Sequence, residues 1–258
     1  MLKIRVIPTL LWKNPGLVKG VGFDSWRRVG TVLPAIKVYN SRDVDELIIV
    51  DISANRESRA PEEAWVRGFS PYCFVPLTVG GGISQAEQIA GLLRAGADKV
   101  SIGTAAYESP ELIEKGARRF GSQCIVVSID AKRDSPGEAV CMSHSGTRST
   151  GREPATWARE VRDRGAGEIL LTSIDRDGTM EGYDLDLIER VASAVDIPVI
   201  ASGGAGNYQH MIEAVGAGAS AVAAASIFHF TEQTPAEAKK ALAAAGMPVR
   251  RNFVAVPA

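Results

Sequence analysis

The sequence has few cysteines, few histidines, almost no net charge and no long run of large apolar residues. Cys73, Cys124 and Cys141 are odd in number and lack close paired spacing, which argues against a disulfide framework or a cysteine zinc site and fits a reducing cytosol. The 29 Lys and Arg balance 30 Asp and Glu. No broad attraction to nucleic acid or an anionic membrane is expected, and any anion site has to be local. His144, His210 and His229 form no motif and read as structural or surface groups. Residues 214–231 contain no Asp, Glu, Lys or Arg, but Gly216, Gly218, Ser220, Ser226 and His229 interrupt them. That stretch is a barrel strand with small neighbours rather than a membrane span. The opening MLKIR has no apolar stretch behind it, so no signal peptide is expected. The expectation is a cytoplasmic protein with no metal or organic cofactor.

What is present is a regular alternation. Apolar β-branched runs occur at Ile4–Leu11, Glu46–Ile52, Val75–Gly80, Lys99–Gly103, Cys124–Ile129, Glu168–Ser173, Pro198–Ser202 and Ala221–Ala224. Most are continuous rather than alternating, as suits parallel strands buried on both faces. Amphipathic stretches separate them, among them Gln85–Ala95, Pro110–Phe120 and Leu185–Val195. Eight strand–helix units in 258 residues predict a single α/β domain, a (β/α)₈ barrel. A doubly wound sheet is the alternative. Asn14–Thr31 is too long for an idle connection and reads as a lid or binding loop. Arg133–Thr150 reads as an insertion of the size of a small hairpin, and the tail beyond Arg251 as frayed.

The chain also repeats itself. Val75-Pro76-Leu77 leads into Gly80-Gly81-Gly82, and Ile197-Pro198-Val199 into Gly203-Gly204; Pro198 and Gly204 each lie 122 residues beyond Pro76 and Gly82. At the same offset Gly96-Ala97 matches Gly218-Ala219, Thr104-Ala105 matches Ser226-Ile227, and Glu46-Leu47-Ile48 matches Glu168-Ile169-Leu170. One offset over separate blocks implies two half-barrels, about 1–122 and 123–250.

In such a barrel the strand C-termini face the active site. Glycine permits close backbone approach to a phosphate, and a following helix N-terminus adds free N–H groups. Gly81, Gly82 and Thr104 on one side, with Gly203, Gly204, Ala225 and Ser226 on the other, would hold a ligand carrying a phosphate at each end. Tight turns are the plain alternative. Asp51, Asp130, Asp175 and Asp177 are acid–base candidates at strand ends or, equally, turn caps. Lys19 joins the candidate set from the Asn14–Thr31 loop. Asp130 closes a strand run and should point into the mouth; aligning Lys13 with Lys132 sets Leu11 opposite it. At the other end Arg5, Glu46, Lys99 and Glu168 start four strands, as a salt-bridge plug or as a gate.

Arg5-Val6-Ile7-Pro8, Leu17-Val18-Lys19-Gly20, Leu77-Thr78-Val79-Gly80-Gly81-Gly82-Ile83, Ala95–Ile102, Gly165–Ser173, Asp175-Arg176-Asp177-Gly178 and Ile197–Gly206 resemble the HisF family, the cyclase subunits of imidazole glycerol phosphate synthase. The resemblance runs from residue 2 to about 250. It implies a HisH-like glutaminase docked on the bottom of the barrel near Asp98 and Gln123, and ammonia passing a gate of Arg5, Glu46, Lys99 and Glu168. It also implies a phosphorylated small-molecule ligand held at the top. Asp130 corresponds to one of the family's two catalytic carboxylates. Leu11 stands where the family carries the other, and Gly103 replaces its usual Asn. Leu10-Leu11, Asn40, Val44–Leu47 and Asp51-Ile52-Ser53-Ala54 resemble a HisF-like subgroup associated with sugar amidation in bacterial surface-polysaccharide pathways, working with a sugar amidotransferase. Ammonia supply for such a sugar is therefore the first expectation. A histidine-pathway cyclase in which Asp51 or Asp177 replaces the lost carboxylate is the second, and a non-catalytic scaffold for the glutaminase the third.

Overall fold

The structure, a computed structural model, describes residues 3–135 and 138–250. The tail expected to fray, 251–258, lies outside the described residues. Strand β1 (Arg5–Lys13) runs into a hairpin, β2 (Gly16–Val21) and β3 (Asp24–Gly30), followed by α1 (Val32–Ser41), β4 (Leu47–Asp51) and α2 (Glu63–Phe69). Then come β5 (Leu77–Gly80), α3 (Ala86–Arg94), β6 (Lys99–Ile102), α4 (Thr104–Glu108) and α5 (Glu111–Phe120). The second half contains β7 (Ile125–Ser135), β8 (Glu138–Ser143), β9 (Arg148–Ser149), α6 (Pro154–Asp163), β10 (Glu168–Ser173) and α7 (Leu185–Ala192). It ends with β11 (Val199–Ser202), α8 (Tyr208–Gly216), β12 (Ala221–Ala224), α9 (Ser226–Phe230) and α10 (Pro235–Ala244). Parallel pairing joins β1, β4, β5, β6, β7, β10, β11 and β12, and β12 returns to β1. The predicted (β/α)₈ barrel is the observed fold, not a doubly wound sheet.

The strand boundaries depart from the expected ones for local reasons. β5 and β11 begin after Pro76 and Pro198, because a proline has no N–H to give to a ladder; Pro76 contributes only its carbonyl, to Leu47 N at 2.9 Å. β6 stops before Gly103, whose φ of −106° and ψ of −101° leave the extended region. β1 and β7 run further than expected, into antiparallel hairpins with β2 and β8. The Asn14–Thr31 segment, expected as a lid or binding loop, is thus an ordered hairpin, and Asp130 lies within its strand rather than closing it. The small hairpin expected in Arg133–Thr150 is present.

Two apolar clusters hold the barrel together. The larger lies between strands and helices and includes Ile36, Leu47, Ile89, Leu92, Trp157 and Leu242. The smaller fills the barrel interior with Ile7, Ile48, Val126, Leu170, Ile200, Ala221 and Ala223. Helix α5 shows how the outer layer is specified. Leu112, Ile113 and Gly116 face inward, while Glu111 and Glu114 in the first turn and Arg118 and Arg119 in the last complement the helix dipole.

The pairing register recurs along the chain. Leu47 pairs with Leu77 and Ile169 with Val199; Thr78 pairs with Lys99 and Ile200 with Ala221. Each second pair lies 122 residues beyond the first. Gly96 and Gly218, also 122 apart, share φ values of +106° and +105°.

Candidate functional site

A cavity of about 840 Å³ opens at the C-terminal ends of the strands, the end at which such barrels carry their active sites. Two glycine turns form opposite parts of its wall. Gly81 and Gly203 have φ of +104° and +91°. A Cβ on Gly81 would lie 2.2 Å from the Asp51 carbonyl oxygen, and one on Gly203 would lie 2.6 Å from that of Ser173. Only glycine fits where the chain passes so close to the end of the neighbouring strand. Gly82 and Gly204 are equally confined, against the Arg59 and Gly182 carbonyls.

Beside each glycine turn stands a hydroxyl. Thr104 Oγ1 accepts from Asn55 Nδ2 at 3.0 Å and from the His144 backbone N–H at 2.9 Å. Ser226 Oγ is buried without a hydrogen-bond partner among the described residues. Gly103 and Ala225 precede them, in backbone conformations outside the helical and extended regions. The helices that follow Thr104 and Ser226 have five residues each. They are too short to add a helix-dipole contribution of their own, so an anion beside Thr104 or Ser226 would rely on hydroxyls and backbone amides.

Asp130 reaches the cavity from β7. Burial pushes its carboxyl up from 3.8 to about 7; a bond from Ser128 Oγ at 3.3 Å opposes the rise, and the nearby charge of Asp177 adds to it. Such a group exchanges protons near neutrality. Leu11 lines the same cavity from β1 and has no titratable atom. The hairpin β2–β3 contributes Lys19, Phe23 and Trp26 to the wall. Lys19 is buried, with Nζ 2.8 Å from both Asp177 carboxylate oxygens, and Gly22 N donates to the Asp177 carbonyl at 2.9 Å. His229 is held down to about 4 by burial and then by Lys19.

The other candidates are placed differently. Asp51 Oδ1 accepts from Ser53 N, Ser53 Oγ and Ala54 N, and Oδ2 from Arg59 at 2.9 Å. Its carboxylate is committed to shaping the loop after β4. Asp175 accepts from Arg133 N and lies outside the cavity lining. His144 is at the mouth and not simply a structural or surface group: its Nε2 is 3.3 Å from Glu108. Asn55 and Arg59 are also mouth residues that the motifs did not single out. The 122-residue repeat could have flagged Asn55, since its counterpart is Asp177.

At the opposite end four charges close a ring. Arg5 Nη1 lies 2.7 Å from Glu46 and 2.9 Å from Glu168; Lys99 Nζ lies 2.7 Å and 3.0 Å from the same two carboxylates. Thr78 Oγ1 donates to Glu46 at 3.2 Å. Two cations and two anions therefore balance, at the ends of β1, β4, β6 and β10. Asp98 and Gln123 are exposed at this end, and Asp98 accepts from Leu77 N at 2.8 Å. Among the described residues no cluster of His, Cys, Asp or Glu could hold a metal ion, and no helix is long and apolar enough to cross a membrane.

Comparison with known proteins gives one consistent result. A family model described as "Histidine biosynthesis protein" matches residues 5–234. The chain is 48% identical over 252 residues to the imidazole glycerol phosphate synthase subunit HisF of Gluconacetobacter diazotrophicus, covering 98% of each chain. It is 50% identical over 252 residues to the subunit of the same name from Caulobacter vibrioides, covering 97% of each.

Proposed function

The chain belongs to the HisF family of histidine biosynthesis proteins, and from that premise we propose that it is a HisF-type cyclase subunit of an imidazole glycerol phosphate synthase. The observation that carries this reading is the pair of opposed glycine-and-hydroxyl cradles with Asp130 between them. A ligand with a phosphate at each end would span Gly81, Gly82 and Thr104 on one side and Gly203, Gly204, Ala225 and Ser226 on the other. Its reacting centre would then lie over the strand ends, near Asp130. A carboxyl near 7 is present in both protonation states at neutral pH, so one group can take a proton from the attacking nitrogen and return it to a leaving oxygen. Lys19 is positioned to add positive charge beside that centre, held by Asp177. The conserved offset of 122 in sheet register supports reading the chain as two half-barrels, about 1–122 and 123–250.

On the same reading ammonia arrives along the barrel axis. The ring of Arg5, Glu46, Lys99 and Glu168 is its gate, and the apolar interior above it favours neutral ammonia over ammonium, whose desolvation is costly. A HisH-like glutaminase would dock on the ring end, around Asp98 and Gln123. The test is turnover of the histidine-pathway bisphosphate, with ammonium and with glutamine plus the glutaminase; turnover with neither source overturns the cyclase reading.

Leu11 favours a second reading. With an apolar side chain opposite Asp130, the barrel keeps the features of ammonia delivery but has one carboxylate where the family uses two. In this reading the complex supplies ammonia to a sugar amidotransferase in surface-polysaccharide synthesis. It predicts glutamine hydrolysis by the complex with negligible ring closure, and nitrogen transfer to a sugar only when the amidotransferase is added. Glutaminase activation with neither outcome would leave the scaffold role.

A further inference from the structure

Thr104 and Ser226 hold corresponding positions in the two halves, yet their hydroxyls are wired differently. A hydroxyl has two lone pairs and one hydrogen. Thr104 Oγ1 receives two N–H donors, from Asn55 Nδ2 at 3.0 Å and His144 N at 2.9 Å. Its acceptor capacity is filled, so its remaining function is to donate, and the open side is the cavity. Ser226 is 5% exposed, and its Oγ has no partner among the described residues. The residue 122 beyond Asn55 is Asp177, whose carboxylate is taken by Lys19. Among the described residues nothing therefore orients Ser226 as Asn55 orients Thr104.

The local chain explains why Asn55 reaches this position. Asp51 and Arg59 close the loop around it through the bonds to Ser53 and Ala54. His144 takes a positive φ of 52° at the tip of the β8–β9 turn and delivers its N–H from the other side. Gly103 has no side chain to compete; a Cβ there would find its nearest neighbour at 3.9 Å. Three segments distant in sequence thus meet on one oxygen.

We propose that Asn55 is a positioning residue that commits the Thr104 hydroxyl to donating to phosphate. The Gly82/Thr104 site is then preformed, whereas the Gly204/Ser226 site is completed only by its anion. This rests on the anion-site reading given above. It makes the mouth directional: the phosphate at Thr104 seats first and the other follows.

Inorganic phosphate is the probe, titrated into the full-length chain by calorimetry, with crystals soaked over the same concentration series to separate the sites. In the wild type, density should appear at Thr104 at about tenfold lower phosphate than at Ser226, the scale of one hydrogen bond to a charged group. Asn55→Ala should weaken the Thr104 site by about that factor and leave the Ser226 site unchanged. Asn55→Asp is nearly isosteric, so the loop keeps its shape. Its carboxylate would capture the Thr104 hydrogen and repel the anion, and phosphate should vanish from that site alone. The Ser226 site serves as the internal control for folding, and Ser226→Ala should weaken only that site, by about tenfold or more. Unchanged occupancy at Thr104 in Asn55→Asp, or simultaneous filling of both sites in the wild type, overturns the proposal. Anions at neither site overturn it together with the reading on which it rests.

Discussion

Leu11 and Asp130 hold the same place in two strands: each is the first residue at which its strand pairs with an antiparallel hairpin partner, Leu11 with Val18 and Asp130 with Met142. Both residues line the mouth, so its two sides differ by one carboxylate. Leu11→Asp therefore places an acid–base group where geometry already provides for one. Under the cyclase reading it should raise ring closure with ammonium by about 10²-fold or more, the usual contribution of such a group. Steady-state rates with the bisphosphate check this; no change points to wider remodelling of the mouth.

Asp130 should also leave a signature in stability. Its folded value, about 7, exceeds the 3.8 of an unperturbed carboxyl, so the native state binds the proton more tightly than the unfolded chain. The associated stability is complete below about pH 4 and is lost as pH rises towards 7. Asp130→Asn removes that loss. Urea denaturation should find the variant more stable than wild type at pH 8 and little different at pH 4, while its ring closure falls by about 10²- to 10⁴-fold. A pH-independent difference in stability would contradict the assignment.

Lys99 is the only contact of Glu46 and Glu168 on its side of the ring besides Arg5 and Thr78 among the described residues. Lys99→Met leaves two carboxylates on one guanidinium and opens the ring. Glutamine-driven product formation should fall about tenfold or more relative to glutamine hydrolysis, whereas reaction with added ammonium should be retained, because charged groups focused on an axis control what passes. Equal losses with both nitrogen sources would remove the gate from the account.

Lys19 and Asp177 form a buried pair that pins the β2–β3 hairpin over the mouth. Lys19→Met strands a carboxylate and should cost about 3–5 kcal/mol in chemical denaturation. Lys19→Met combined with Asp177→Asn should recover most of that loss, since the uncompensated charge is gone. Hydrogen exchange in residues 16–30 should accelerate in the single variant and less so in the double.

Gly81 offers a backbone test. An alanine there has to tolerate φ of +104° and a Cβ 2.2 Å from the Asp51 carbonyl. Gly81→Ala should lower Tm by several degrees, about 1–3 kcal/mol of strain, and weaken phosphate binding beside Thr104 more than beside Ser226. Calorimetry and phosphate titration measure both.

Much of this molecule is local and therefore readable in the chain. Continuous runs such as Glu168–Ser173 and Ala221–Ala224 become strands with those limits, because residues buried on both faces need no alternation. The 122-residue repeat, the glycine turns, the charged strand starts and the apolar residue at position 11 are all visible before any fold is known. Contacts decided the rest. Whether Arg5, Glu46, Lys99 and Glu168 meet in one ring depends on the stagger of strands separated by up to 163 residues, which hydropathy does not encode. Asp51 reads equally as an acid–base group or a turn cap by position, and only the contacts of its oxygens with Ser53, Ala54 and Arg59 show the capping. Asn55 is marked in the chain only by its place 122 residues before Asp177, and it meets Thr104 only because closing the barrel brings Thr104 Oγ1 to its side chain and to the His144 N–H. Periodicity reports which face of an element is buried; which polar atoms then face each other is set by barrel closure and register, and that belongs to the tertiary structure.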